Sequence, residues 1–501
     1  MADLLIRKAR LVPINAGERG SPDPLDVLIV DGMVTEVGEQ LDRPPTVEEI
    51  DAAGRWCIPG LWDQHVHMTQ WTLTARRLDL AATRTPEEVL AAVAEQVRAA
   101  SGRPVIGWGH RSGGWSRAAT VAELDAVSGD TPVVLVSGDG HHGWLNSAGL
   151  RALGLPPGDT VIRENVWFAA YPRLGTLTGD GGAAPSAFRE ALDRAAARGI
   201  VGLVDFEFNA GLDEWIQRWT QGCDRLRVRW ASYAETLDDV VSAGLRTGDS
   251  LDGDDRLTMG PLKIISDGSL NTRTAWCDEP YAGGESLEHP YGYPNLTADE
   301  LHDLLGRAHA HGLQVATHAI GDAAVRQAVD AFADTGARGS IEHAQLVRRE
   351  EVRRMAGLGI RASVQPAHLL DDREVTEQRW PGRAERCFAF AWMRDDGVEL
   401  ALGSDAPVSP LDPWLAMAAA VHRSADQRPA WHPEQALTPA QALAASVDRQ
   451  PTVGIGSRGD LALLDADPLA VGATSAETAA ALRAMPVALT VVAGAVVHAA
   501  I

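Results

Sequence analysis

The sequence predicts an α/β fold: a (β/α)8 TIM barrel carrying a small β-sandwich built from both chain termini, with an insertion after the first barrel strand. Three observations predict it. Eight short apolar runs alternate with helical stretches through the middle of the chain, both ends read as short strands and turns, and polar side chains recur at the carboxyl ends of the apolar runs.

The elements follow in order. Residues 1–57 hold the apolar runs LLIRKARLVPI and DVLIVDGMVTEVG, separated by Gly, Pro and Asp, and residues 452–501 have the same texture in GDLALLDADP and ALTVVAGAVVHAA. These two ends are read as one sandwich and residues 58–451 as the barrel. Its strands are expected in IPGLWDQHVH, GIVGLVDFE, RVRWASY, GPLKIISDG, LQVATHAIGD, SIEHAQL, IRASVQPAH and VELALGSDA. Helical stretches such as PSAFREALDRAAARG and TADELHDLLGRAHAHG lie between most of them. Two further apolar runs, PVIGWGH and PVVLVSGDGHH, fall between the first and second strands, so residues 69 to about 185 are assigned to an insertion at the barrel mouth.

Composition narrows the function. The chain has 501 residues, 45% of them hydrophobic and 23% charged, a soluble globular balance that excludes collagen, coiled coil and disorder. No apolar run reaches the roughly 18 residues needed to span a bilayer. The N-terminus lacks the apolar core and small-residue cleavage site of a signal peptide, and the chain is read as cytoplasmic. A net charge of −23 without a basic patch speaks against a nucleic-acid partner. Cys57, Cys223, Cys277 and Cys387 are far apart and read as reduced thiols. Of 45 basic residues only two are lysines, Lys8 and Lys263. Codon bias toward arginine explains most of that, but not why Lys263 sits in the apolar strand pattern PLKII, where an unpaired, unmodified lysine is costly.

The chemistry lies at the strand ends. The first strand ends in His65-Val66-His67, and residues two apart on a strand face the same side. Lys263 lies on the fourth strand, His318 on the fifth, His343 on the sixth and Asp405 on the eighth. Imidazole plus carboxylate suits zinc and similar divalent ions. A buried, neutral lysine amine can combine with carbon dioxide into an anionic carbamate whose two oxygens bridge two metals, which arginine cannot do. Taken singly, each feature has a bland reading: a satisfied core histidine, or Asp405 as a helix cap. Five such elements in barrel order make coincidence a poor account.

The segments PGLWDQHVH, LKIISDGSLNTRTA, THAIGDAAV, IEHAQL, SVQPAHLLDD and LGSDAPV, with ATVAELDAVSGDTPVVLVSGDGHHGWLNSAGL in the insertion, make the chain resemble the amidohydrolase superfamily of metal-dependent hydrolases. Within it the chain is similar to the amidohydrolase-3 branch, which includes N-substituted formamide deformylases. The resemblance covers most of the chain. It implies that His65, His67, Lys263 as a carbamate, His318, His343 and Asp405 ligate one or two ions, zinc first, with manganese, cobalt or iron as alternatives. It further implies that His141 reaches substrate and that Asp267, Ser269, Arg273, Asp322 and His368 lie near the pocket. The chain departs from the family where WFAAYPRLGTLTGDGG replaces a GxPTG-type segment, which leaves the substrate open.

The ligand set points to hydrolysis of a non-peptide carbon–nitrogen bond, an amide or an N-formyl or N-acyl amine, by metal-activated water. Asp405 serves as general base and acid, and His141 hydrogen-bonds the developing oxyanion. A deaminase, an ester hydrolase and a non-catalytic regulatory protein are the rivals. Against deamination, His318 is followed by Ala-Ile-Gly-Asp and Lys263 is present. The 15 tryptophans include Trp108 and Trp115 in the insertion. Either they line a pocket for a small hydrophobic or aromatic substrate or, for most of them, they pack the insertion onto the barrel or a homodimer partner.

Overall fold

A computed structural model describes residues 3–501 apart from 16, 19, 22, 75, 76, 101, 113, 114, 179–183, 209, 210 and 427. The last residues of the departing segment WFAAYPRLGTLTGDGG, 179–182, therefore lie outside the described residues. Eight parallel strands, each pairing with the next in sequence order, make one sheet: β1 (Leu61–Val66), β2 (Ile200–Asp205), β3 (Arg227–Ser232), β4 (Leu257–Ile265), β5 (Val315–Ala319), β6 (Gly339–His343), β7 (Arg361–Val364) and β8 (Leu400–Leu402). Each lies within the apolar run expected for it or extends just beyond. β1 and β2 are buried along their whole length, as parallel strands covered on both faces must be.

The crossover helices show why the chain alternates. Pro185–Ala196 buries Phe188, Ala191, Leu192 and Ala195, a stripe at helical spacing that seals against the sheet. Ala298–Ala310 begins at Thr297, whose hydroxyl accepts from the Glu300 amide while the Glu300 carboxylate reaches back to the Thr297 backbone. Asp322–Thr335 stops at Gly336, whose φ of 67° is one that glycine adopts without cost.

β8 and β1 join at their carboxyl ends. The Asp405 amide donates to the His65 carbonyl at 2.7 Å and the His67 amide to the Ala406 carbonyl at 2.8 Å, nearly closing the barrel. Asp63 reinforces the seam by accepting from the amides of both His65 and Ser404. Gly403 permits it, because a Cβ there would lie 2.8 Å from the His65 nitrogen.

Both chain ends meet beneath the barrel in a single hydrogen-bonded path of strands. Its order is Ala495–Ala499, Val487–Val492, Leu461–Leu464, Trp56–Pro59, Leu4–Leu11, Leu25–Val30 and Met33–Gly38, with Glu48–Asp51 also paired to Leu4–Leu11. Leu4–Leu11 changes partners at an irregularity between Ile6 and Ala9, where Lys8 has φ 53°. A buried ion pair, Arg227 to Asp460 at 2.6 Å, ties this sheet to β3. Between β1 and β2 a separate five-stranded sheet forms from Leu78–Asp79, Val105–His110, Val133–Ser137, His142–Leu145 and Ile162–Arg163. It bears on the barrel mouth through Arg111, which pairs with Asp371 at 2.7 Å, and through Glu164, which accepts from the Thr274 hydroxyl at 2.8 Å. Among the described residues no helix is long and apolar enough to cross a membrane.

Removing the Asp63 carboxylate would leave two buried amides without an acceptor at the seam. Asp63→Ala is expected to lower unfolding free energy by about 2–3 kcal/mol, read by urea denaturation; a loss under about 0.5 kcal/mol, within the range of ordinary surface substitutions, would mean the seam does not depend on it.

Candidate metal centre

The side chains expected at the strand ends meet at the carboxyl end of the barrel. Ligand atoms of His65, His343 and Asp405 lie within 4.8 Å of one another, and all three residues are buried. His65 Nε2 is 3.4 Å from Asp405 Oδ1 and 3.3 Å from Lys263 Nζ, and His67 Nε2 is 3.2 Å from the same Asp405 oxygen. His318 sits beside them, its ring centroid 4.5 Å from that of His343, with its Nε2 3.2 Å from the Gly268 carbonyl. His343 and Asp405 have φ of 69° and 56°. Such conformations cost a non-glycine residue about 1–3 kcal/mol, and here they turn side chains inward just where the strands end.

The protonation states suit metal ligation. Burial drives His65 and His343 well below the usual imidazole range, helped at His65 by Lys263 and at His343 by His318, and burial with Lys263 brings His318 to about 3. Neutral rings result, the form that ligates metal. Burial works against ionisation of Asp405, but the hydrogen bond and charge of His67 outweigh it and hold the carboxyl below its usual value. Lys263 is brought down to about 8 by burial, against the opposing charges of Glu342 and Asp405. It does not pair with Asp267; its Nζ lies 4.4 Å over the Phe206 ring. The Nδ1 atoms of His67 and His343 are buried with no hydrogen-bond partner, and the neutral rings and ionised carboxylate are the donor types that zinc-like ions take. The donor set therefore fits a divalent ion.

Glu342 is one residue that the sequence did not single out. Its carboxylate lies 2.8 Å from His65 Nδ1 and accepts from the Ser340 hydroxyl at 2.5 Å, which fixes His65 with Nε2 toward the cluster. It stands next to His343 in IEHAQL, and strand alternation would face the two oppositely. The left-handed backbone at His343 ends the alternation, and both reach the barrel interior.

A cavity of about 510 Å³ opens over the cluster, walled by Trp108, Phe168, Tyr171, Phe208 and Tyr233. Arg77 lies over the Trp108 ring and donates to the Tyr171 hydroxyl at 2.9 Å. His141 enters from the insertion, its Nδ1 3.0 Å from Glu164 Oε2. Burial opposes its charge, but the charge and hydrogen bond of Glu164 prevail and raise it to about 9. Nothing in the sequence pairs Glu164 with His141, since 22 residues separate them and the contact needs the insertion folded.

The other expected residues divide. Trp108 lines the cavity, and Ser269 and His368 line a small pocket beside it. Asp267 is structural, its carboxylate oxygens taken by the amides of Trp276, Ile320 and Gly321 at 2.9–3.0 Å, and it stands 3.5 Å behind His318. Three more lie away from both cavities. Asp322 is buried at the start of its helix, accepting from the Asp278 amide and pairing with Arg386 at 3.1 Å. Arg273 sits in a left-handed turn near Arg163 and Arg379. Trp115 stacks on His110 and edges onto Trp144, packing the insertion.

Comparison with known proteins gives the same picture. A model of the amidohydrolase family matches residues 48–498. Protein LONG AFTER FAR-RED 3 of Arabidopsis thaliana is 28% identical over 441 residues, covering 79% of this chain and 74% of that one. N-substituted formamide deformylase of Arthrobacter pascens is 24% identical over 531 residues, covering 94% of each. The crystal structure of an uncharacterized metal-dependent hydrolase from Pyrococcus horikoshii superimposes with a TM-score of 0.75 at 26% identity, covering 94% of this chain and 99% of that one.

The His141–Glu164 pair sets a pH dependence. Because His141 titrates higher folded than unfolded, its stabilising contribution is complete below about pH 6.5 and is lost as pH rises through about 9. The stability difference between wild type and Glu164→Gln is therefore expected to shrink across that window, and the His141 ring signals of the variant should titrate lower by NMR. A difference that stays constant from pH 6 to 9.5 would contradict the pairing.

Proposed function

This chain belongs to the amidohydrolase family of metal-dependent hydrolases, and on that footing we propose that it hydrolyses a non-peptide carbon–nitrogen bond in a small amide. The observation that carries this reading is the meeting of His65, His343, Asp405 and Lys263 under an aromatic-walled cavity into which His141 projects. N-substituted formamide deformylase, alike along nearly its whole length, is by its name an enzyme of such bonds.

His65, His67, Lys263 as a carbamate, His318, His343 and Asp405 would hold one or two ions, zinc being our assignment. A bound divalent ion supplies a Lewis acid for the carbonyl and makes water acidic enough to be a nucleophile near neutral pH. The protein's own groups do the rest. Asp405, ionised and at the centre of the cluster, takes the proton from water and returns it to the departing nitrogen. His141, kept protonated by Glu164, donates from Nε2 to the carbonyl oxygen as negative charge builds there. The aromatic walls bind the apolar part of the substrate and keep bulk water out. The lowered affinity of Lys263 for its proton leaves more of its amine free to combine with carbon dioxide than an exposed lysine would. We take residues 58–451 as the catalytic barrel and about 69–185 as the segment that roofs its mouth.

Two variants separate the roles. His141→Ala is expected to lower turnover about 10²–10³-fold while metal content, read by elemental analysis, stays at the wild-type level. Lys263→Arg keeps the charge but cannot form a carbamate, so metal content and activity should both fall. Lys263→Ala should be partly rescued by added formate, acetate or propionate. Lys263→Arg with wild-type metal content and rate would overturn the carbamate, and unchanged turnover in His141→Ala would remove His141 from the site.

A further inference from the structure

The cluster is the meeting point of two cavities of very unequal size. The aromatic one, about 510 Å³, shares Asp139, His141, His318, His343 and Asp405 with a second of about 30 Å³, which has room for only one or two atoms the size of a water oxygen. A substrate held with its carbonyl at the cluster must therefore place a bulky group on one flank and almost nothing on the other.

The small pocket is polar, and the amide oxygens of Asn271 and Gln345 supply it with acceptors. Asp372 receives the side-chain amides of Asn271 at 3.0 Å and Gln345 at 3.2 Å, which turns both NH2 groups to the carboxylate and leaves both amide oxygens as acceptors. Arg111, the one arginine lining it among the described residues, has one guanidinium nitrogen turned away to Asp371 at 2.7 Å and to the Val408 carbonyl at 3.3 Å. His368 Nε2 is buried there with no hydrogen-bond partner, 3.7 Å from Asp405 Oδ2. Leu270 closes the wall.

Resting on the hydrolase reading above, we propose that this pocket seats the departing nitrogen and that the substrate is a primary carboxamide, R–CO–NH2, whose aromatic R group fills the large cavity. An NH2 group brings two donors to the free amide oxygens of Asn271 and Gln345 and fits the pocket's volume. A formyl C–H would leave those acceptors unmatched, and a substituted nitrogen would find no space for its substituent. The reaction balances without an oxidant or reductant. Water oxygen bonds to the carbonyl carbon, the C–N bond breaks with its electron pair going to nitrogen, and the second water proton reaches that nitrogen, giving R–CO2H and NH3.

Phenylacetamide and N-benzylformamide are constitutional isomers of equal size that differ in which flank carries the nitrogen. With the metal-supplemented protein, kcat/KM for phenylacetamide is expected to exceed that for N-benzylformamide at least tenfold, with ammonia released in step with phenylacetate. Calorimetry with Asp405→Asn, which cannot turn over, should show the same order of binding. Asp372→Asn should lower kcat/KM for phenylacetamide about tenfold without changing metal content. Equal or better use of N-benzylformamide, or an Asp372→Asn variant that loses nothing, would overturn the assignment while leaving the hydrolase reading intact. A metal-loaded protein that cleaves neither isomer but does cleave secondary amides would do the same, whereas one that cleaves no amide at all would sink both.

Discussion

Everything at the site depends on the seam between the first and last barrel strands. Asp405 comes within 3.4 Å of His65 and 3.2 Å of His67 because its own amide donates to the His65 carbonyl, 340 residues away in sequence. That backbone pairing requires a glycine at 403 and a buried carboxylate at 63. With the seam formed, the remaining strands deliver Lys263, His318 and His343 in order around the ring. Without it, His65 and Asp405 would lie at opposite edges of an open sheet.

The insertion completes what the barrel begins. A barrel end alone is a rim of loops; the five-stranded sheet between β1 and β2 brings Trp108, Phe168 and His141 over that rim and makes a walled cavity of it. Its attachment is chemical as much as steric, since Glu164 both holds His141 and takes a hydrogen bond from Thr274 in the loop after β4. In a chain of net charge −23, carboxylates are the abundant partners, and the site uses Glu342 and Glu164 in the same way, each fixing the Nδ1 side of a histidine so that Nε2 faces inward.

Much of this was legible in the amino acids because parallel barrels write their strands as continuous apolar runs and their chemistry at the run ends. His65-Val66-His67 and the isolated Lys263 carried the site, and all eight strands fell within or beside their runs. What escaped were partners fixed by tertiary approach: Glu342, whose inward reach depends on the left-handed backbone at His343, and Glu164, whose partner lies across the insertion. Motif membership also misled. Asp322 and Arg273 sit within pocket-forming segments yet face structural partners or a turn, and Trp115 belongs to the core of the insertion. The terminal strands form one continuous path because Leu4–Leu11 bends and serves two sets of partners.

The central claim is that these side chains hold a divalent ion with Lys263 as part of its cage. Anomalous diffraction across the zinc absorption edge, on crystals of protein purified without chelator, tests it most directly. The account predicts a peak bounded by His65, His343 and Asp405, and continuous density extending the Lys263 amine by a planar three-atom group toward it. No anomalous signal at the cluster in zinc-supplemented crystals, together with a bare Lys263 amine over the Phe206 ring, would contradict it.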